Sequence, residues 1–144
     1  MKLVIASDDL VTVVEHLAAR LKARGHEATV LPRDSWAAMA ADAARRVASG
    51  EFDQGIVCCW TGTGASIAAN KVRGIRAALC TDAQTAAGAR KWNDANVLAL
   101  SLRLLSEPLA TEIVDAWLDA TYENTEDESL ERLTREESIT SRCT

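Results

Sequence analysis

The segment 59–64, Cys-Trp-Thr-Gly-Thr-Gly, has the residue types and spacing of a catalytic loop. Cys59 ends an apolar run just before a predicted helix, and a thiol near a helix N-terminus can have a lowered pKa and act as a base. Gly62 and Gly64 allow a positive φ and close backbone approach, so the amides that lead into the helix can face an anion or an oxyanion. The pattern therefore favours proton transfer on a small anionic molecule.

Each feature of this loop also has a structural explanation. Tight turns between a strand and a helix use glycine for steric reasons alone. Cys59 can be a small buried hydrophobic residue, and for Cys58 and Cys80, which lie inside apolar strands, we predict that role. The loop alone leaves a site and a simple turn both open.

Other candidates follow the same logic. Asp8 and Asp82 each end a predicted strand, where they can bind hydroxyl groups, shuttle protons or cap the next helix. Trp92 is predicted to be a core residue, whereas packing alone does not explain Trp60 inside a glycine loop. The two histidines, His16 and His26, are predicted to lie at the surface. His16 falls within the first predicted helix, and His26 directly follows it.

A parallel sheet must position these residues, because short apolar runs alternate with helical patterns along the chain. The fold class predicted is α/β, a doubly wound (Rossmann-like) three-layer α/β/α sandwich with a five-stranded parallel sheet. The predicted strands are 2–6, 27–31, 55–59, 77–80 and 97–100, and the predicted helices are 10–25, 36–48, 65–72, 83–92 and 108–122.

Ligands of open parallel sheets bind beyond the carboxyl ends of the strands, near the point where the strand order reverses. Four loops are predicted to converge there. They are 7–9, 59–64, 81–82, and 93–96 together with 101–103.

Length and composition limit the class of protein. A chain of 144 residues predicts one domain, 1–122, followed by an acidic tail, 123–144. Leu130 and Leu133 predict that this tail is either frayed or docked on another surface, such as that of a second subunit. The net charge of −5 argues against nucleic acid as the partner. With no apolar run of about 18 residues, no membrane span is expected, and the protein is predicted to be cytoplasmic. The spacing of Cys58, Cys59, Cys80 and Cys143 predicts free thiols and no metal site.

The segment 59–71 resembles the type B ribose-5-phosphate isomerases and the galactose-6-phosphate isomerase subunits. Its sequence Cys-Trp-Thr-Gly-Thr-Gly-Ala-Ser-Ile-Ala-Ala-Asn-Lys is similar to Cys-Gly-Thr-Gly-x-Gly-x-Ser-x-Ala-Ala-Asn-Lys of that family, and 74–80, 93–98 and the region of Arg103 are similar as well. The resemblance covers residues 1–122 or so. It implies an aldose–ketose isomerase without metal or organic cofactor, and a homodimer or tetramer with sites at the subunit interface.

The resemblance also implies roles for individual residues. Cys59 matches the base that moves a proton between C1 and C2 through an enediolate, and the amides of 61–65 match the oxyanion cradle. Together with the residue pattern, it gives the candidate site: Cys59, Thr61 and Asp8 are expected to be catalytic, and Asp9, Trp60, Gly62, Thr63, Gly64, Ser66, Asp82, Asn93, Arg103 and Arg132 are expected to bind substrate.

Five positions of the family pattern that concern substrate binding or ring opening differ in this chain. Asp9 replaces a histidine, Thr81 stands where a histidine precedes Asp82, and Trp92 replaces the histidine that resembles a ring-opening acid. Aligning Arg132 on the last arginine of the family's C-terminal phosphate motif puts Glu128 and Ser129 where Arg and His stand. A carboxylate that faces a phosphate is repulsive.

Two functions follow from this pattern. The first is a sugar-phosphate aldose–ketose isomerase with altered specificity, which the retained Cys59 and segment 61–71 favour. The second is a non-catalytic paralogue that binds sugar phosphate or serves as a regulatory subunit. The loss of ring-opening and phosphate-binding groups points to a short substrate with four carbons.

Overall fold

The computed structural model describes residues 1–140. Within these residues, five strands and six helices alternate until the last two helices, which follow each other. The elements are β1 (Lys2–Ser7), α1 (Thr12–Ala23), β2 (Glu27–Val30), α2 (Trp36–Ala48), β3 (Gln54–Cys59), α3 (Thr63–Ala69), β4 (Ala77–Leu79), α4 (Ala83–Asn93), β5 (Val97–Ser101), α5 (Glu107–Asp119) and α6 (Asp127–Thr140).

All strand pairs are parallel, and the strand order is β2-β1-β3-β5-β4. The chain moves from β1 to β2 on one side and then returns past β1 to β3. Because crossovers are right-handed, a reversal of direction puts the next helix on the other face of the sheet. Accordingly, α1, α4 and α5 pack on one face and α2 and α3 on the other. The predicted sandwich with a five-stranded parallel sheet is confirmed.

The core consists of one apolar cluster on each face of the sheet. Every residue of β3 is buried, as expected for a strand that is covered on both faces. Cys58 belongs to the cluster beneath α1, α4 and α5, whereas Cys59 belongs to the cluster beneath α2 and α3. The two thiols therefore point to opposite faces, as the alternation of side chains along a strand predicts.

Except for α2, the element bounds differ from the prediction by one to three residues. Helix α3 begins at Thr63, two residues before the predicted start, because Gly62 adopts a left-handed conformation and serves as its N-cap. Helix α5 ends at Asp119, since Ala120 returns to extended backbone. The tail, for which no helix was predicted, forms helix α6.

Helix α6 contacts its own chain. The carboxylate of Glu137 accepts hydrogen bonds from the backbone N–H of Gly74 at 3.2 and 3.3 Å, and the guanidinium of Arg73 donates to the hydroxyl of Ser138 at 3.3 Å. The expectation of a frayed tail is therefore wrong for Asp127–Thr140. Docking on a second subunit stays a prediction.

The outer edge of β4 is bound by a side chain. The Asn70 amide nitrogen donates to the Ala77 carbonyl at 2.9 Å, and its amide oxygen accepts from the Ala77 N–H at 2.8 Å. Asn70 thus takes the place of a neighbouring strand at this residue.

Within residues 1–140, no helix combines the length and apolarity that crossing a membrane requires.

Candidate active site

The strand order reverses between β1 and β3, and Cys59 ends β3 at this point. Ser7 pairs with Cys58, so Asp8 follows β1 at the level of Cys59, and its backbone N–H bonds to the Cys58 carbonyl at 3.4 Å. On the other side Cys59 pairs with Ser101 of β5. The thiol thus lies between two neighbouring strand ends, at the position where parallel sheets bind ligands.

Backbone and side-chain hydrogen bonds from the end of β5 fix the segment around Cys59. The N–H of Leu102 donates to the Cys59 carbonyl at 2.9 Å, and the N–H of Arg103 donates to the Trp60 carbonyl at 3.0 Å. The buried hydroxyl of Ser101 donates to the same Trp60 carbonyl, also at 3.0 Å. Cys59 itself is 5% exposed. Cys59 is therefore held in one place and largely shielded from water.

Gly62 is the position of the loop where only glycine fits. Its φ is +75°, and a Cβ there would lie 2.6 Å from Cδ1 of Leu79 and 2.9 Å from the carbonyl carbon of Leu100. The turn brings the chain from buried Cys59 directly into α3. Glycine is therefore required at this position for steric reasons, which is the structural explanation that the sequence also allowed.

The polar groups of the loop face outward at the start of α3. The Thr61 and Thr63 hydroxyls are 2.7 Å apart and share a hydrogen bond. The Ser66 N–H bonds to the Gly62 carbonyl, which leaves the amides of the first turn without partners inside the helix. Unpaired amides at the start of a helix can bind an anion.

Asp9 lies in a loop that Ser7 holds. The Ser7 hydroxyl donates to the Asp9 carbonyl at 2.6 Å and accepts from the Asp9 N–H at 3.3 Å. Asp8 is half-buried and Asp9 is exposed, and helix α1 begins only at Thr12 with no side-chain cap. Capping therefore does not account for Asp8.

Asp82 caps helix α4. One carboxylate oxygen accepts from the Thr85 N–H at 2.7 Å and the other from the Thr85 hydroxyl at 2.8 Å. These hydrogen bonds hold the pKa of Asp82 below its ordinary value, and the bond from the Thr85 backbone has the largest effect. The structure therefore gives Asp82 the capping role that the sequence left open.

The other thiols are buried core residues. Burial raises the pKa of Cys58 to about 12, and the neighbouring Cys59 and Asp8 act in the same direction. Burial, with a smaller contribution from Asp82, raises the pKa of Cys80 to about 12. Cys58 and Cys80 are therefore protonated near neutral pH. The fourth cysteine, Cys143, lies outside the described residues.

Two predicted site residues lie away from Cys59 of the same chain. Asn93 ends α4 and precedes β5, so it lies at the amino edge of the sheet, opposite the carboxyl edge. Arg132 is an exposed residue of α6 and forms an ion pair with Glu136 at 2.5 Å. The expectation that loop 93–96 converges with the other three is wrong, because this loop leads into a strand instead of leaving one.

Trp92 is not a core residue. It is 52% exposed and lies over Gly88 of its own helix, where a Cβ would lie 2.7 Å from the ring. The ring lines an open groove of about 1330 Å³ along β4 and α4, which extends from Asp82 at the carboxyl edge to Glu137 on α6. Helical spacing did not reveal which face of α4 the groove would leave open.

Tryptophans also line the carboxyl edge. Trp60 is 66% exposed beside Cys59, in keeping with the expectation that packing does not explain it. Trp36 begins α2, and sequence reasoning missed it: a Cβ on Gly64 would lie 2.9 Å from Cε3 of its indole. The signal in the sequence was an aromatic residue directly after Ser35, the N-cap of a helix that leaves this edge.

Neither histidine lies in this loop cluster. His16 on α1 hydrogen-bonds the Thr111 hydroxyl of α5 at 2.8 Å. His26 approaches the N-terminal amine at 3.2 Å, and burial, followed by the charge of that amine, lowers its pKa. The expectation that both are surface residues agrees with these positions. Among residues 1–140, no group of three or more His, Cys, Asp or Glu side chains could hold a metal ion.

Comparison with known proteins gives a family for this arrangement. The sequence pattern of the Ribose/Galactose Isomerase family matches residues 3–135. The chain is 42% identical over 130 residues to ribose-5-phosphate isomerase B of Escherichia coli, and the match covers 85% of this chain and 86% of that protein. It is 50% identical over 80 residues to D-erythrulose-4-phosphate isomerase of Pectobacterium atrosepticum, covering 56% and 53% of the two chains.

A solved structure agrees with the sequence comparisons. Ribose-5-phosphate isomerase B from Mycoplasma genitalium, with bound ribulose-5-phosphate, superimposes with a TM-score of 0.89 at 32% identity, and the match covers 95% of this chain and 96% of the other. The named relatives are isomerases, so the alternative of a non-catalytic paralogue is not favoured, and the predicted class of sugar-phosphate isomerase is confirmed. This chain belongs to the Ribose/Galactose Isomerase family.

Proposed function

We propose that this protein interconverts the aldose and ketose forms of a four-carbon sugar phosphate, with Cys59 as the base. The observation that carries the proposal is the position of Cys59 at the strand-order reversal, directly before the first turn of α3, whose amides have no partner inside the helix. A thiolate at this position removes the proton from the carbon next to the substrate carbonyl. The same group returns it to the neighbouring carbon, and no cofactor is needed for the transfer.

The enediolate between these two steps carries negative charge on oxygen. The first-turn amides of α3, from Thr63 to Ala65, are suited to stabilise that oxygen, because fixed donors act without reorganisation. The paired hydroxyls of Thr61 and Thr63 can donate to the second oxygen. Asp8, beside Cys59 across the sheet, is suited to bind a substrate hydroxyl or shuttle its proton.

Substrate length is inferred from two features of the same edge. Trp60 stands where the resembled motif has glycine, and its large exposed ring reduces the space beside Cys59. In addition, both histidines lie away from the loop, so none is placed there to open a sugar ring. A tetrose 4-phosphate has its O4 esterified and cannot close a furanose ring, so it needs no ring-opening acid. The similarity to a D-erythrulose-4-phosphate isomerase supports the same substrate class.

Arg103 is the proposed phosphate anchor. Its backbone is bound to the Trp60 carbonyl, which places the start of the side chain beside the loop. The side chain is exposed, and no carboxylate among residues 1–140 forms an ion pair with it. A guanidinium in this position can bind a phosphate with two parallel hydrogen bonds.

We also propose that the active unit is a homodimer formed through the groove along β4 and α4. Trp92 and Leu133 expose large apolar surfaces there, and exposed apolar patches of this kind mark interaction sites. Asn93 lines the same groove. Asn93 and Arg132 lie away from Cys59 of their own chain. A second copy seated in the groove would bring these two residues close to the partner's site, as the family resemblance implies.

The test is an isomerisation assay with a tetrose 4-phosphate and ribose-5-phosphate, using wild-type protein and Cys59→Ala. We expect turnover of the tetrose phosphate that Cys59→Ala abolishes. Turnover of ribose-5-phosphate should be lower by about 10²- to 10⁴-fold, the usual contribution of a positioned acid. Turnover of ribose-5-phosphate near about 10 s⁻¹ would refute the substrate class. Activity on neither substrate would refute the isomerase.

A further inference from the structure

Trp36 and Gly64 form a contact between two helices at the carboxyl edge of the sheet. Trp36 is the first residue of α2, and the Ser35 hydroxyl caps that helix by accepting from the Ala38 N–H at 3.3 Å. The indole lies over the backbone of Gly64 in the first turn of α3. A Cβ on Gly64 would lie 2.9 Å from Cε3, 3.1 Å from Cδ2 and 3.2 Å from Cζ3 of the ring.

The contact is specific to this pair. The three atoms nearest to that Cβ position all belong to Trp36. Gly64 has no positive φ, so its backbone alone would accept any side chain, and the indole is what requires glycine there. Trp36 is 47% exposed and belongs to neither buried core cluster, so its ring does not serve the interior of the protein.

We propose that Trp36 is a positioning residue for the loop 61–65, whose amides are proposed to stabilise the oxyanion. Its ring packs against Gly64, and this keeps the amides of Gly64 and Ala65 in a fixed orientation while charge develops on the substrate. Fixed donors stabilise a transition state because no reorganisation accompanies the reaction. The inference rests on the isomerase activity proposed above and assigns Trp36 no contact with the substrate.

A purely structural role would have a different effect. If Trp36 only holds α2 against α3, its removal lowers the free energy of unfolding, and the folded fraction keeps its kinetic constants. A positioning role lowers kcat with little change in KM, since the lost restraint acts on the transition state more than on bound substrate. Misplacement of catalytic groups by about 1 Å costs about 100-fold in rate.

The first experiment compares Trp36→Ala, Trp36→Phe and Val47→Ala on the tetrose phosphate. We expect kcat of Trp36→Ala to fall by about 10- to 100-fold with KM nearly unchanged, and Trp36→Phe to restore most of the rate because a ring still covers Gly64. Val47 is a buried residue at the other end of α2, so Val47→Ala destabilises the same helix without touching the loop. It should leave kcat unchanged.

The second experiment is a double-mutant cycle between Trp36 and Gly64. Gly64→Ala should lower kcat in wild-type protein, because its Cβ collides with the indole. In the Trp36→Ala background that collision is gone, and Gly64→Ala should have little further effect. Equal losses in both backgrounds would show independent sites and overturn the inference.

The failures are distinguishable. An active wild-type protein whose kcat is unchanged in Trp36→Ala, or whose kcat falls equally in Val47→Ala, rejects the positioning role alone. A wild-type protein that is inactive on every sugar phosphate rejects the proposed function, and the positioning role with it.

Discussion

Asp8, the residue after β1, and Cys59, the last residue of β3, lie side by side at the point where the strand order reverses. The register brings them together, because Ser7 pairs with Cys58 and the next residues along the two segments are Asp8 and Cys59. Asp8 lies 51 positions before Cys59 in the sequence, and the sheet alone makes them neighbours. The loops that follow them therefore face one another across a cleft that the topology creates.

Alkylation should distinguish Cys59 from the other described thiols. Burial raises the pKa values of Cys58 and Cys80 to about 12, so few of these groups are thiolates near pH 8. We expect iodoacetamide to modify Cys59 first and to abolish isomerase activity in proportion. Mass mapping of a Cys143→Ser variant measures this without interference from the C-terminal thiol. Preferential labelling of Cys58 would contradict the assignment of Cys59 as the base.

The same two pKa values predict how stability depends on pH. The thiols of Cys58 and Cys80 have a folded pKa of about 12, above the value of about 8.5 in an unfolded chain. Their contribution to stability is complete below about pH 8.5 and is lost as the pH rises toward 12, because the unfolded chain releases these protons first. Urea unfolding at pH 7.5, 9 and 10.5 should show the loss.

Cys58→Ala is the control for this pH dependence. It removes one titrating thiol, while lysines and tyrosines titrate equally in both proteins. The decline of the unfolding free energy above pH 9 should therefore be less steep in Cys58→Ala. An identical decline in both proteins would show that Cys58 does not contribute to it.

Gly62 and Gly74 form a matched pair for the steric requirement of the loop. Both have a positive φ, +75° and +82°, but a Cβ on Gly74 meets nothing within 4 Å, whereas one on Gly62 meets Leu79 and the Leu100 backbone. Gly74→Ala should cost about 1 kcal/mol for the backbone conformation alone. Gly62→Ala should cost about 1–3 kcal/mol more. Chemical denaturation measures both, and equal losses would remove the steric argument.

Arg103→Ala tests the phosphate anchor. A hydrogen bond to a charged group contributes about 1.5–3 kcal/mol, so KM for the tetrose phosphate should rise by about 10- to 100-fold with a smaller change in kcat. Arg45→Ala removes an exposed arginine from the far end of α2 and should leave KM unchanged. An unchanged KM in Arg103→Ala would assign the phosphate to other groups.

The homodimer is tested at the groove. Leu133→Glu places a charge on the groove wall and should shift sedimentation equilibrium toward monomer, with a loss of activity at low protein concentration. Ile139 is also exposed on α6 but does not line the groove, and Ile139→Glu should sediment as wild type does. Wild-type protein that is monomeric at micromolar concentration would refute the dimer.

Local patterns predicted much of this fold. Apolar runs located all five strands. Helix α2 has the predicted bounds because its capping residue and the glycine after its end can be read directly from the sequence. The charge spacing in the tail was a helix signal that was not used: Arg132 pairs with Glu136, and Glu131 with Arg135, four residues apart. Together with Leu130 and Leu133, this spacing indicates a helix.

The site was harder to predict because it depends on tertiary placement. Asn93 has a polar side chain beside a strand, but it precedes the strand, and this order alone assigns it to the amino edge. The contact between Trp36 and Gly64 joins residues 28 positions apart through the packing of α2 on α3. Spacing in the sequence contains no information about such a contact.

Asn70 has a consequence for how the sheet can grow. Its side-chain amide occupies both the donor and the acceptor of Ala77 on the open side of β4. A strand from another molecule that approached at Ala77 would find no free backbone group to bond, so the edge is protected from strand addition and from the aggregation that follows it. In the proposed homodimer, a second copy in the adjacent groove would therefore make its contacts at Ala77 through side chains.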